Sequence, residues 1–211
     1  MNAVTNSTGY LEQLLRGQPR LPASSLARLN RLRAHAVDRV GALTVPSAGD
    51  EEWRFTDISP LAKLSFQPVR MASRLQAADI EHFFLEEAPT RLVFVDGAHA
   101  PELSHIAADG PIVVANLAAA VSAHPGAIDA HLGRHAGFED DVFAALNTAY
   151  LHDGALIVVG RNAKAPTPVH LLFIATQKEA ASYPRCLVVA EAGSEATIIE
   201  DFVTLQDEAY F

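Results

Sequence analysis

ALIVVG (155–160), PVHLLFIAT (168–176), RCLVVAEA (185–192) and EATIIEDFVTL (195–205) follow one another with only short polar breaks between them. Each run is rich in Val, Ile and Leu, the breaks hold Pro, Gly, Asn and Lys, and no helical spacing links the apolar positions, so four strands are expected. Several runs are apolar on consecutive residues, whereas strands of a half-exposed sandwich alternate more cleanly. Both faces should therefore be covered. Turn signals at roughly 10 to 18 residue spacing suit a solenoid of parallel strands in which each coil stacks on the one before. An independent β-sandwich binding module also fits the pattern. The final residues, EDFVTLQDEAYF (200–211), lie within a strand-like pattern with no polar cap or helix over the last edge. Such an open edge invites aggregation, and the chain is expected to be truncated there.

Upstream the texture is mixed. GYLEQLLRG (9–17) is a short helix, with Ser7 or Thr8 as its cap and Gly17 and Pro19 as its stop. LARLNRLRAHAVDRVGAL (26–43), capped by Ser24 or Ser25, puts Leu26, Leu29, Leu32, Ala36 and Val40 on one face. The pair makes an amphipathic helical hairpin. LQAADIEHFFLEEA (75–88) reads as a helix ended by Pro89, and RLVFVDG (91–97) as a strand closing on Asp-Gly. PIVVANLAAAV (111–121) passes from strand to helix, and GAIDAHLGRH (126–135) and FEDDVFAALNTAYLHDG (138–154) are helical. The expected organisation is a helical hairpin over residues 1–48, a mixed α/β region over 49–153, and the β-rich segment over 154–211.

A chain of 211 residues, 49% hydrophobic and 19% charged, has the composition of an ordinary globular protein with a sizeable core. No apolar run approaches the roughly 18 residues of a spanning helix. MNAVTNSTGY lacks the basic and apolar regions of a signal peptide, so a cytoplasmic protein without membrane contact is expected. A single cysteine, Cys186, suits a reducing compartment and excludes an internal disulfide framework. The net charge of −9 argues against nucleic-acid binding, which needs a surplus of Lys and Arg. Six arginines against Glu12 and Asp38 leave the first 40 residues at +4, facing a body of −13.

Four motifs, in order, carry a resemblance: DEEWRFTDISPL (50–61), FVDGAHAPELS (94–104), FAALNTAYLHDGALIVV (143–159) and YPRCLVVAEAGSEATIIEDF (183–202). Together they resemble the SufB/SufD family of the bacterial Suf machinery for iron-sulfur cluster assembly, the SufD side more than the SufB side. The resemblance implies an α+β N-terminal region followed by the first coils of a right-handed parallel β-helix. It further implies a non-catalytic scaffold subunit of the SufBCD complex, supporting cluster assembly and iron acquisition. The implied partners are a SufB-like paralogue and a SufC-like ATPase, with a homodimer compatible. This part of the chain would bind no cofactor, the iron-sulfur cluster being handled by the full complex. The rest of the β-helix and the region that binds the ATPase would lie beyond Phe211.

Candidate chemistry is sparse. Cys186 on a strand reads as a small buried hydrophobe, with Arg185 pointing to the opposite face. His131, His135 and Glu139, spaced by four, would share one helix face and could serve a small metal-dependent enzyme, although Gly133 and Gly137 weaken that helix. A solvated face is the preferred reading. His99, His105 and His124 lie in loop-like stretches without ligand spacing. Trp53, the only tryptophan, reads as a structural clasp, with a partner anchor as the alternative. Arg54 could pair with Asp57, and Pro60 should stop local helix. No nucleophile elbow, P-loop, glycine-rich dinucleotide turn or CxxC motif is present, so no catalytic, cofactor-binding or metal residues are assigned and no enzymatic activity is expected.

Overall fold

The computed structural model describes residues 3–16, 27–107 and 111–206. Two helices lead, α1 (Ala3–Arg16) and α2 (Ala27–Ala42). Ser7 and Thr8 lie inside α1 rather than at its start; Gly17, Pro19, Ser24, Ser25 and Leu26 fall outside the described residues. α2 buries Leu29, Ala36 and Val40, three positions of the expected apolar face. Short 3-10 turns follow at Glu51–Trp53 and Leu61–Lys63, the second beginning after Pro60, which starts a turn instead of ending one. The expected helix at 75–88 shrinks to a single turn, α3 (Ala77–Ile80), followed by a 3-10 turn at Glu81–Phe83.

The strands are β1 (Gln67–Pro68), β2 (Thr90–Val95), β3 (Ala98–His99), β4 (Ile112–Asn116), β5 (Gly154–Val159), β6 (Val169–Ala175), β7 (Ala180–Ala181), β8 (Arg185–Ala190) and β9 (Ile198–Thr204). Helices α4 (Leu117–Ala123), α5 (Pro125–His131) and α6 (Val142–Ala149) lie between β4 and β5. Asp141 caps α6, its carboxylate accepting from Phe143 N at 2.8 Å and Ala144 N at 3.0 Å.

Three sheets form, ordered β3-β2-β6-β9, β4-β5-β8 and β1-β7. β2 and β3 make an antiparallel hairpin across Asp96 (φ 50) and Gly97 (φ 84), the left-handed pair that a two-residue Asp-Gly turn requires. β4 is antiparallel to β5. The other ladders of the strands past Gly154 are parallel: β5 with β8, β6 with β9 and with the upstream β2, and β7 with the upstream β1. Among the described residues no two of these later strands form the hairpins that a β-sandwich would need. The connecting turns are also in register, Ala163 accepting from Glu195 N at 2.9 Å while Ala165 N donates to Glu195 at 2.8 Å.

The two larger sheets face each other across Leu92, Phe94, Ala155, Ile157, Val159, Val169, Leu171 and Phe173, all buried. Consecutive apolar residues serve both faces of β5 and β6, as expected, whereas β8 and β9 each leave one face partly exposed. Leu172 and Ile174 on the other side of β6 pack with Val93, Val95 and Ile80, while Leu156 and Leu187 pack with Leu117, Ile128 and Leu132 under α4 and α5. Leu14, Ala36 and Val40 of the helical hairpin share a third cluster with Leu146, Tyr150 and Tyr183. That third cluster joins the hairpin to α6 and, through Ala181, to β7.

Candidate functional site

The second, third and fourth motifs supply two aspartates and one arginine, Asp96, Asp153 and Arg185, whose bonds tie distant segments together. Asp96 is buried at the β2–β3 turn, where its carboxylate accepts from Ser73 N (3.0 Å), Thr176 N (2.8 Å), Thr176 Oγ1 (2.8 Å) and Gln177 Nε2 (2.8 Å). Burial alone would raise its pKa, but the hydrogen bonds from Ser73, Gln177 and Thr176 outweigh it and hold the carboxyl below the usual range. Asp153, also buried, accepts from His99 N (3.0 Å), Asn116 Nδ2 (3.1 Å), Ala118 N (3.3 Å) and Gly154 N (2.9 Å). It ties the hairpin, the start of α4 and the start of β5 together.

Gly154 follows with φ +143, and a Cβ there would lie 1.9 Å from Arg185 O. Only glycine permits β8 to approach this closely. Arg185 donates from Nε to Asn147 Oδ1 at 2.7 Å and from Nη2 to Thr148 Oγ1 at 3.1 Å, and Asn147 Nδ2 donates to Pro184 O at 2.9 Å. Burial lowers the pKa of this guanidinium, with Cys186 acting the other way. Tyr150 and Tyr183 stack at 4.5 Å, and the Tyr150 hydroxyl donates to Leu14 O in α1. Burial raises the pKa of both phenols and pushes Tyr10 up to about 12. Asp96, Asp153, Arg185 and Tyr150 thus each hold segments that lie far apart in the sequence.

Cys186 lies beside Ala155 on the inward face of β8, half-buried, while Arg185 turns away to α6 as the alternation of a strand dictates. Burial, then a hydrogen bond with Glu200 and that residue's charge, push the thiol up to about 12. It is protonated at neutral pH and a poor nucleophile. Trp53 is half-buried rather than a full core residue, its ring 5.7 Å from Phe143 of α6. Arg54 lies over the Phe55 ring at 4.9 Å instead of pairing with Asp57, which accepts from Ser59 N at 2.9 Å. Phe55 is itself 90% exposed.

The three-residue histidine stripe does not form. α5 ends at His131; His135 returns to it through a turn, 3.3 Å separating His131 Nδ1 from His135 Nε2. Glu139 points elsewhere, 3.5 Å from Arg39 Nε and 3.6 Å from His35 Nε2. Among the described residues no group of three or more His, Cys, Asp or Glu is arranged to hold a metal ion. His99 belongs to β3 rather than a loop, 5.7 Å from Phe94, and burial lowers its pKa against the charge of Asp153. His105 bridges to Arg91 through the backbone and His124 precedes α5. His170 carried no sequence signal, yet it is fully buried on β6 with Nε2 2.9 Å from Asp201 Oδ2. Only the parallel register, which sets β9 beside β6, brings the two together.

A family model described as the SufBD protein N-terminal region matches residues 5–171. The chain belongs to the SufBD family. An iron-sulfur cluster assembly SufBD family protein of Synechocystis is 33% identical over 196 residues, covering 90% of this chain and 42% of the relative. The iron-sulfur cluster assembly protein SufD of Escherichia coli is 29% identical over 172 residues, 79% of this chain and 37% of that protein. Protein ABCI7 of the Arabidopsis chloroplast is 25% identical, over 90% of this chain and 41% of its own length. The chain spans about two fifths of the length of each of these three relatives. The Asp-Gly turn, the Asn-Thr-Ala-Tyr segment and Gly154 all lie within the span of the SufBD family model. Among the described residues no helix is long and apolar enough to cross a membrane.

Proposed function

We propose that this chain is the N-terminal part of a SufD-like subunit, a non-catalytic scaffold in iron-sulfur cluster assembly that acts in the cytoplasm with a SufB-like paralogue and a SufC-like ATPase. The observation that carries the proposal is the family match across residues 5–171, joined by relatives whose names state iron-sulfur cluster assembly. The bonding of the site agrees with a scaffold: Asp96, Asp153, Arg185 and Tyr150 hold strands and helices together.

The strands past Gly154 are, on the same proposal, the first coils of a right-handed parallel β-helix. Support comes from the parallel ladders, the turns in register, and an aromatic stack in which Phe94, Phe173 and Phe202 follow one another at 4.9 and 4.7 Å. Val188 and Phe202, in register with the buried Ile157 and Phe173, are 44% and 62% exposed. A further coil laid on β8 and β9 would cover them, and the match accounts for only 42% of the Synechocystis relative.

Co-expression of the longest reading frame containing this sequence with its SufB-like and SufC-like partners tests the proposal. A stable three-component complex is expected on affinity purification through this subunit. Recovery of the subunit free of both partners, from cells in which the partners themselves associate, would refute it.

A further inference from the structure

The turn that ends α5 builds something the scaffold role does not use. Past His131 the chain reverses through Leu132 and Gly133, whose φ of +68 favours glycine, and a Cβ there would also meet Leu32 Cδ2 at 2.3 Å. Arg134 N donates to His131 O at 3.2 Å and Arg134 Nε to Asp129 O at 3.0 Å, closing the turn. Asp129 itself is held by Arg28 at 3.1 Å. The outcome is a pair of imidazoles, inclined at 26° to one another, with Nδ1 of His131 3.3 Å from Nε2 of His135.

That separation has a chemical meaning. A tetrahedral ion with metal–nitrogen bonds of about 2.0–2.1 Å holds two ligand nitrogens about 3.3–3.4 Å apart. Adjacent ligands of an octahedral or square-planar ion would sit closer, at about 2.9 Å. In the free protein one neutral ring can donate its N–H to the other across this gap; to bind an ion the donor ring takes its other tautomer, so both rings stay neutral and both facing nitrogens offer a lone pair. The fixed turn means that little ordering remains for the ion to impose. His131 is half-buried and His135 exposed, so an ion reaches them from solvent.

We propose that His131 and His135 chelate a divalent first-row transition ion, zinc in first place, with water completing the tetrahedron. Glu139, engaged with Arg39 and His35, is not a ligand.

Isothermal titration of the chain with zinc chloride, in a buffer that does not chelate, tests this. One ion per chain is expected with micromolar affinity, weakened about tenfold or more by His131→Ala or His135→Ala and unchanged by Glu139→Ala. Circular dichroism checks that each variant keeps its fold. Absence of saturable binding, or equal binding by wild type and the variant lacking both imidazoles, overturns the site. A comparable loss on Glu139→Ala overturns its two-imidazole form.

Discussion

Gly154 has the least freedom of any residue at the motif junction. Its φ of +143 and the 1.9 Å from a built Cβ to Arg185 O leave no room for a side chain, and the obstacle is backbone. Gly154→Ala should therefore cost more than about 3 kcal/mol, or prevent soluble expression, because β8 must move away from β5. Urea unfolding decides it, and a midpoint within error of wild type would contradict the close approach. Asp96 offers a prediction with a pH sign. Its folded pKa lies below the unfolded one, so the stabilisation is complete above the unfolded carboxyl range near pH ~4 and fades as pH falls through the folded value. Asp96→Asn should lose about 2–4 kcal/mol at pH 7, since one amide cannot accept all four hydrogen bonds, and the gap to wild type should narrow on acidification. Unfolding curves taken from pH 7 to pH 3 would show it; a gap that widens at low pH would contradict the sign. The Asp-Gly turn was legible from residue type alone. The wider bonding of Asp96 was not, because Thr176 and Gln177 lie some 80 residues away.

The elements past Gly154 were legible for a different reason: all four apolar runs became strands, their Val and Ile residues suiting a pleated surface, but two covered faces hold only for β5 and β6. β7 escaped notice because two alanines carry no period, and the helix expected over 75–88 shortened because Phe83 and Phe84 are drawn with Ile80 onto the sheet beside Val93 and Leu172. Tertiary burial overrode local helical pattern there. The stack of Phe94, Phe173 and Phe202 gives these ladders their most testable contact. Phe173 is buried between the other two rings, so Phe173→Ala should destabilise by about 3–5 kcal/mol, whereas Phe202→Ala, on the exposed side, should cost only about 1 kcal/mol. Trp53→Ala should fall between them at about 1–2 kcal/mol, as suits a half-buried ring touching Phe143. Chemical denaturation ranks the three. A Trp53 variant as costly as Phe173→Ala would show that the clasp carries as much stability as a buried core ring.

At the scale of the whole molecule, stability and chemistry separate. One buried cluster joins Leu14 of α1 and Leu146 of α6 to Ala181 of β7, a second packs α4 and α5 on β5, and a third lies between the two larger sheets, so apolar packing holds the fold together. An iron-sulfur cluster is held by several soft ligands, usually four thiolates. This chain has one cysteine, whose thiol is pushed up to about 12 by burial and by Glu200. The relatives it resembles extend to more than twice its matched length, and under the proposed function the ATPase contacts belong to that remainder. Residues 1–211 alone should therefore neither hold a stoichiometric cluster nor stimulate a SufC-like ATPase, while the full-length subunit with its partners should support both. Anaerobic reconstitution with iron and sulfide, followed by visible absorption, reads the first half, and phosphate release with the ATPase reads the second. A stoichiometric cluster absorbance abolished by Cys186→Ser would show that the inward thiol is released from Glu200 and used. Stimulation of the ATPase by this chain alone would move the docking surface into the helical hairpin or the α/β region, and with it the division of labour proposed for the two parts of the subunit.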